Sequence, residues 1–85
     1  MSSGFEVEGP NSVISKDGEI RIARVGLSVI FHGRQYNIDS EMLDPPMSIV
    51  IYFRNSRAAQ SEEAEDIRSF IEEALTFRGF MIEFI

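Results

Sequence analysis

The segment SEEAEDIRSFIEEALTFRGFMIEFI, residues 61–85, decides the fold class of this chain. Ser61 is a favourable N-cap residue, and the acidic residues that follow it suit the positive end of a helix. At 100° per residue, the apolar side chains fall within an arc of about 160°. They are Phe77, Phe70, Ala74, Ile67, Ile71, Ala64 and Leu75. Because Arg78 and Gly79 are typical of a helix end, we predict a helix over residues 61–78.

Short runs that alternate between apolar and polar residues surround this helix, and such alternation indicates strands with one face in contact with water. The predicted strands are residues 12–16, 19–25, 27–32, 35–39, 47–53 and 80–85. Two-residue turns are predicted at Asp17-Gly18 and at Gly33-Arg34. Residues 40–44 fit no regular pattern, and we expect an irregular connection there.

These elements predict one α+β domain over residues 12–85, in the order β-β-β-β-β-α-β. A mostly antiparallel sheet is expected, with the amphipathic helix packed on one face. Residues 1–11 contain Gly4, Gly9 and Pro10 and few apolar groups, so they are interpreted as a flexible arm. The run MSIVIYF at 47–53 is almost entirely apolar, which favours a strand covered on both faces or one at an oligomer interface.

Composition narrows the functional classes. The chain of 85 residues has no cysteine, which excludes disulfide bonds and thiolate metal sites. It has no run of 18 apolar residues, and its N-terminus lacks the basic and apolar regions of a signal peptide. We therefore expect a cytoplasmic protein without a membrane span.

The net charge of -6 is unevenly distributed, because residues 61–85 carry seven acidic residues and two arginines. Such a chain is a poor binder of nucleic acid, and a basic protein partner suits it better. Glu62, Asp66 and Glu73 are predicted to share one side of the helix, interrupted by Ser69, and we interpret them as a partner-binding surface. A metal site is disfavoured, because these carboxylates lack a histidine and a recognisable ligand spacing.

Arg54 and Arg57 precede the helix and are secondary candidates for contact with a partner. Beside a helix N-terminus they could also bind an anion. Glu62 and Glu63 already lie at that end, however, so pairing of the arginines with these two acids is the favoured alternative.

His32 is the only histidine, and it raises the alternative of a small hydrolase. Ser28, His32 and Asp39 would lie on one face of a hairpin that turns at Gly33-Arg34. In that register His32 is opposite Gln35 and lies about 13 Å from Ser28 along the strand, too far for a catalytic pair. We predict a surface histidine near the hairpin end, no enzymatic activity and no cofactor.

The chain resembles a family of small bacterial immunity proteins from polymorphic toxin systems. The resemblance covers residues 12–85 and rests on a G-x-I-x-I strand, two further strands, a helix that opens S-E-E and ends A-L-x-x-x-G, and a terminal I-E-F strand. The residues concerned are Gly18, Ile20, Ile22, Tyr36, Ile38, Glu41, Ile49, Val50, Ile51, Ser61, Glu62, Glu63, Ala74, Leu75, Gly79, Ile82, Glu83 and Phe84. The chain has no tryptophan, which the family often carries after the apolar strand.

The resemblance implies a non-enzymatic protein that binds and neutralises a cognate toxin inside the producing cell. An acidic helix would suit a basic toxin such as a nuclease. A self-associating structural domain is the alternative, because the apolar strands at 47–53 and 80–85 would invite pairing between copies if their edges were exposed.

Overall fold

The fold is given by a computed structural model that describes residues 4–7, 9, 11–24, 26–43 and 47–85. Its elements are β1 (Glu6–Val7), β2 (Ser12–Ser15), β3 (Gly18–Ile22), β4 (Leu27–Phe31), β5 (Arg34–Ile38), β6 (Ser40–Leu43), β7 (Ser48–Ile51), a 3₁₀ helix (Ala58–Gln60), α1 (Ala64–Phe77) and β8 (Met81–Phe84). The predicted α+β class and the order of the predicted elements are confirmed. Two strands were not predicted, namely β1 within the proposed arm 1–11 and β6.

Within the described residues the strands form two sheets, whereas a single sheet was predicted. One sheet has the order β1-β2-β3-β4-β5, and all its neighbours are antiparallel. The other has the order β6-β7-β8, in which β7 pairs antiparallel with β6 and parallel with β8. The apolar strand β7 is therefore the centre of the second sheet, and α1 connects it to β8.

The prediction of an irregular connection at 40–44 was wrong for Ser40–Leu43, which form β6 and pair with β7. Ser40 is buried, and its hydroxyl accepts a hydrogen bond of 3.0 Å from the N–H of Gly26. This tertiary bond fixes the start of the strand, and no local sequence pattern announces it. The last residue of that predicted stretch, Asp44, lies outside the described part of the chain, as do Pro45 and Pro46.

Both predicted turns lie one residue earlier than expected. The first turn consists of Lys16 and Asp17, because Ser15 pairs with Gly18. The second consists of His32 and Gly33, whose φ angles of 50° and 81° suit a tight two-residue hairpin. In the resulting register, Gln35 is opposite Ile30, so the predicted pairing of His32 with Gln35 was wrong.

Gly18 is required by a close approach between strands. It is paired with Ser15 on one side and with Phe31 on the other. A Cβ atom at this position would overlap the carbonyl oxygen of Ile30 on β4. The glycine of the Asp17-Gly18 pair therefore allows β3 and β4 to approach each other, and the turn itself does not need it.

One apolar core lies between the two sheets and the helix. The first sheet contributes alternate residues, including Ile20, Ile22 and the predicted face of Leu27, Val29 and Phe31. The second sheet contributes Ile49 and Ile51, and α1 contributes Ile67, Phe70, Ile71, Ala74 and Leu75. Phe77, which was predicted on the buried face, is 44% exposed, and its ring lies 5.9 Å from that of Phe5.

The helix is shorter than the predicted span of 61–78. At its start the Ser61 hydroxyl accepts the N–H of Glu63 at 3.0 Å, which closes a turn before the helix, and Glu63 is the N-cap. At its end Gly79 has φ 93° and Phe80 donates its N–H to the Leu75 carbonyl at 2.9 Å. With the bond from Gly79 to Thr76, this is a Schellman motif, so the predicted role of Gly79 is confirmed.

Replacing Gly18 by alanine tests the close approach of β3 and β4. We expect Gly18→Ala to lower the free energy of unfolding by about 1–3 kcal/mol, because the added methyl group must displace backbone. Chemical denaturation followed by circular dichroism would measure this loss. Gly33→Asn is the control, since a side chain at Gly33 meets open space and asparagine tolerates positive φ. Equal stabilities of the Gly18→Ala variant and the wild type would contradict the argument.

Candidate functional site

A groove with an acidic rim lies between α1 and the two hairpin turns of the first sheet. It encloses a volume of about 560 Å³. Its rim carries Asp17, Asp66 and Glu73, and we call it the acidic groove. The rings of Phe31 and Phe70 are buried at its base with centroids 5.1 Å apart, and Phe5 lies 5.8 Å from Phe70. The groove therefore combines carboxylates at the rim with an aromatic floor.

The structure brings two of the three predicted acidic residues together. Asp66 and Glu73 both line the acidic groove, two helical turns apart, with Ser69 between them as predicted. Glu62 is exposed on the turn that precedes α1 and is not among the residues that line this groove. It lies outside the helix because α1 begins at Ala64.

His32 connects three elements at one end of the acidic groove. Its Nδ1 lies 3.0 Å from Glu63 Oε2, and its Nε2 lies 3.6 Å from Asp17 Oδ1. Its backbone N–H also donates to the Asp17 carbonyl at 2.9 Å, and its ring stacks on Phe31 with a centroid distance of 4.0 Å. When protonated, the imidazole pairs with both carboxylates and holds the two turns against the start of the helix.

Several residues of this site were not predicted as site residues. They are Asp17, His32 and the neighbouring Glu63, together with the aromatic residues Phe5, Phe31 and Phe70. Glu63 is the N-cap residue and precedes α1, so helical spacing does not identify its contact with His32. Nothing local indicates that Asp17 and His32 meet, because they belong to different hairpins. Their proximity depends on the pairing of Gly18 with Phe31.

The environment of His32 does not form a catalytic triad with Ser28. The Ser28 hydroxyl accepts a hydrogen bond of 3.2 Å from the side-chain amide of Gln35, on the neighbouring strand. Ser28 is opposite Asn37, whereas His32 lies in the turn. Among the described residues, no group of three or more histidine, aspartate or glutamate side chains is placed to hold a metal ion.

A second groove follows the outer edge of β5 and encloses about 690 Å³. We call it the β5 groove. It is lined by Gln35, Tyr36, Asn37, Asp39, Tyr52, Asn55, Ser56 and Arg57. Its lining is mainly amide, hydroxyl and charged groups, unlike the aromatic floor of the acidic groove.

The predicted pairing of Arg54 and Arg57 with Glu62 and Glu63 is not formed. In the described part of the chain, Glu63 pairs with His32, and neither arginine takes part in an ion pair. Arg57 lines the β5 groove, and the backbone N–H of Arg54 donates to the Ile85 carbonyl at 2.9 Å. The two arginines therefore do not belong to the acidic groove.

Tyr52, at the edge of the β5 groove, has a hydroxyl that lies 3.2 Å from Glu41 Oε2. This hydrogen bond to a carboxylate, together with the charge of Glu41, raises the pKa of Tyr52 above its usual 10.0. Tyr52 and Glu41 lie on neighbouring chain segments of the second sheet, so the bond connects its first two strands beyond their backbone ladder.

Comparison with known proteins gives no relative from which a role could be transferred. No protein-family model matches the chain, and no curated protein or solved structure matches it either. No helix in the described part of the chain has both the length and the apolar character that a membrane span requires.

The bond between Tyr52 and Glu41 predicts a pH effect. In a Tyr36→Phe background, ultraviolet absorbance should show Tyr52 ionising above pH 10.0, and adding Glu41→Ala should lower its midpoint. Because the pKa of Tyr52 is raised in the folded protein, its bond to Glu41 stabilises the fold below pH 10.0. This stabilisation is lost as the pH rises through the pKa that Tyr52 has in the folded state. Identical midpoints in the presence and absence of Glu41 would contradict the assignment.

Proposed function

We propose that this protein is a non-enzymatic binding protein that neutralises a basic toxin, in the manner of the immunity proteins that its sequence resembles. The observation that carries the proposal is the acidic groove, where Asp17, Asp66 and Glu73 surround an aromatic floor. The protein acts by occupying a surface of the toxin, and we place it in the cytoplasm of the producing cell. A nuclease is the toxin class whose basic surface suits this charge.

The groove has the chemistry to receive an arginine or a lysine of the partner. The aliphatic part of such a side chain would pack over Phe5 and Phe70, and its charged end would lie near Asp66 and Glu73. Arginine adds cation–π attraction to the half-buried Phe5 ring and can pair with a carboxylate through two N–H groups. Interfaces commonly obtain most of their affinity from a few such anchors.

The charge of the protein would also raise the rate at which it associates with a basic partner. The net charge of -6 attracts a basic protein over distances of about a Debye length, 10 Å at 0.1 M salt. Lys16 and His32 also line this groove, together with the three carboxylates of Asp17, Asp66 and Glu73. The charged side chains of the groove therefore sum to a net negative charge, which suits a basic partner.

Two charge-reversal variants of equal net charge test the acidic groove. Asp66→Lys with Glu73→Lys alters the groove, whereas Glu65→Lys with Glu72→Lys alters exposed positions of α1 that do not line it. Each would serve as bait in a lysate of the native organism, and partner affinity would be measured by calorimetry. We expect the first pair to weaken binding about 100-fold or more, and the second pair to weaken it about tenfold or less.

A functional readout accompanies the binding measurement. The captured partner should be toxic when expressed alone, and co-expression of the wild-type chain should remove that toxicity. The groove variant should fail to protect, and the matched control should protect. Protection by both variants would exclude the acidic groove as the contact, and a partner that is not toxic would exclude the immunity function.

Self-association is a second candidate function, because exposed apolar side chains concentrate on the second sheet. Met42, Leu43, Met81 and Ile85 belong to this sheet or follow it, and Met47 precedes β7. Met81 is 69% exposed on β8, which is an edge strand. An edge strand with apolar neighbours is a template for pairing with another copy. The other predicted apolar strand, β7, is central and offers no edge.

Sedimentation equilibrium over a range of concentrations tests this candidate. If β8 pairs between copies, Met81→Lys should raise the dimer dissociation constant about tenfold or more, because a lysine on an edge strand opposes association. Val7→Lys is the matched control, since Val7 is an exposed apolar residue on the edge strand β1. A strict monomer at every concentration would exclude self-association.

A further inference from the structure

The β5 groove begins where the backbone ladder between β6 and β7 ends. β7 pairs with β6 and then makes one further bond, from the Tyr52 N–H to the Asp39 carbonyl at 2.9 Å. The chain then turns away from β5, since the Phe53 N–H donates to the Ile51 carbonyl and the Ser56 N–H to the Phe53 carbonyl. The outer edge of β5, from Asp39 back to Arg34, therefore has no partner strand among the described residues.

The unpaired backbone groups of this edge can be identified from the register. Phe31 and Arg34 form the pair that closes the hairpin, so Arg34, Tyr36 and Ile38 direct their N–H and C=O groups towards β4. Gln35 and Asn37 direct theirs away from β4, as does Asp39, whose carbonyl accepts the Tyr52 N–H. The backbone groups of Gln35 and Asn37 have no bonding partner among the described residues.

The side chains around this edge are equally available. Within the described residues, the side chains of Asn37, Asn55 and Arg57 make no hydrogen bond or ion pair, although all three line the groove. Edge strands are commonly protected by a lysine, a proline or a bulge, and β5 (RQYNI) contains neither lysine nor proline. The groove thus offers unused donors and acceptors from both backbone and side chains.

We propose that the β5 groove binds an extended peptide segment of a partner protein, which adds to β5 as an antiparallel strand. The segment would follow on from the last backbone bond of the β7 side, that of Tyr52, and would form backbone hydrogen bonds with Gln35 and Asn37. Its alternate side chains would contact Tyr36 on the groove side and solvent on the other side. Arg57 favours an acidic or amide side chain in the segment at the position that it reaches.

The shape of the groove favours a single extended chain over a second copy of the domain. The segment that carries Asn55, Ser56 and Arg57 bounds the far side of the groove. A strand that belongs to a folded sheet brings neighbouring strands with it, whereas an extended peptide needs only the width of one strand between β5 and this segment. The inference does not depend on the proposed toxin, because its test uses peptides alone.

The test begins with a displayed library of random linear peptides of eight residues, selected on the wild-type protein. Amide hydrogen exchange by NMR would then be compared with and without a selected synthetic peptide. We expect new protection at Gln35 and Asn37, whose amides face outward, and little change at Arg34, Tyr36 and Ile38, which already pair with β4. N-methylation along the peptide should weaken binding at every second residue, as a strand ladder requires.

Asn37→Pro and Asn37→Ala form a matched pair of variants. Proline removes the outward N–H of an edge strand and leaves the ladder to β4 intact, whereas alanine removes the side chain and keeps the N–H. Peptide affinity should fall about tenfold or more in Asn37→Pro and remain within about threefold in Asn37→Ala. Circular dichroism would show whether both variants fold. If the proline variant does not fold, the hydrogen-exchange comparison on the wild-type protein still tests the proposal.

Several results would overturn the proposal. The first is that the library yields no binding peptide. The second is that a selected peptide binds folded Asn37→Pro as tightly as it binds the wild type. The third is that the peptide protects amides from exchange at positions other than Gln35 and Asn37. Protection of these two amides without peptide, growing with protein concentration, would instead show that a second copy occupies the edge.

Discussion

The architecture depends on the transfer of the chain from one sheet to the other at Asp39. β5 and β6 are nearly continuous in sequence, yet β5 closes the first sheet and β6 begins the second. Two bonds fix this transfer, from the Gly26 N–H to the Ser40 hydroxyl at 3.0 Å and from the Tyr52 N–H to the Asp39 carbonyl at 2.9 Å. Because the chain changes sheets here, two sheets bound the core, and the single helix α1 packs against both of them.

The same transfer creates the two surfaces to which functions are assigned. β7 follows β6 and leaves the edge of β5 open, which forms the β5 groove, while the hairpin turns at the end of the first sheet meet the helix start and form the acidic groove. The turn at 61–63 touches both regions, since Ser61 Oγ lies 3.5 Å from the Tyr36 hydroxyl and Glu63 contacts His32. A partner that binds both grooves would therefore contact the two sides of one short segment.

The elements that were predictable from the sequence are those encoded by local patterns. The periodicity of α1, the glycine at its C-terminus and the alternation of β3 and β4 each identify an element without tertiary information. The start of the helix was misplaced because the Ser61 hydroxyl caps a turn instead of the first helical turn. β6 was missed because tertiary bonds at Ser40 define it. The first hairpin turn was misplaced because Gly18 serves strand packing, and the second because His32, a non-glycine residue with φ 50°, takes the first turn position and Gly33 the second.

The candidate site was only half predictable for the same reason. Asp66 and Glu73 share a helix face, so their spacing places them together. The contact of His32 with Asp17 and Glu63 joins two hairpins and a helix, and it follows only from the complete strand order. The open edge of β5 is likewise a property of topology, because the sequence of β5 does not reveal where its neighbour stops.

The parallel pairing of β7 with β8 has a consequence for the order of folding. Every pairing in the first sheet joins strands that follow each other in the chain, so each closes a short loop. The pairing of β7 with β8 encloses the entire helix and so carries a larger loop-closure entropy. We therefore expect the five-stranded meander to form early and β8 to join after α1 has packed.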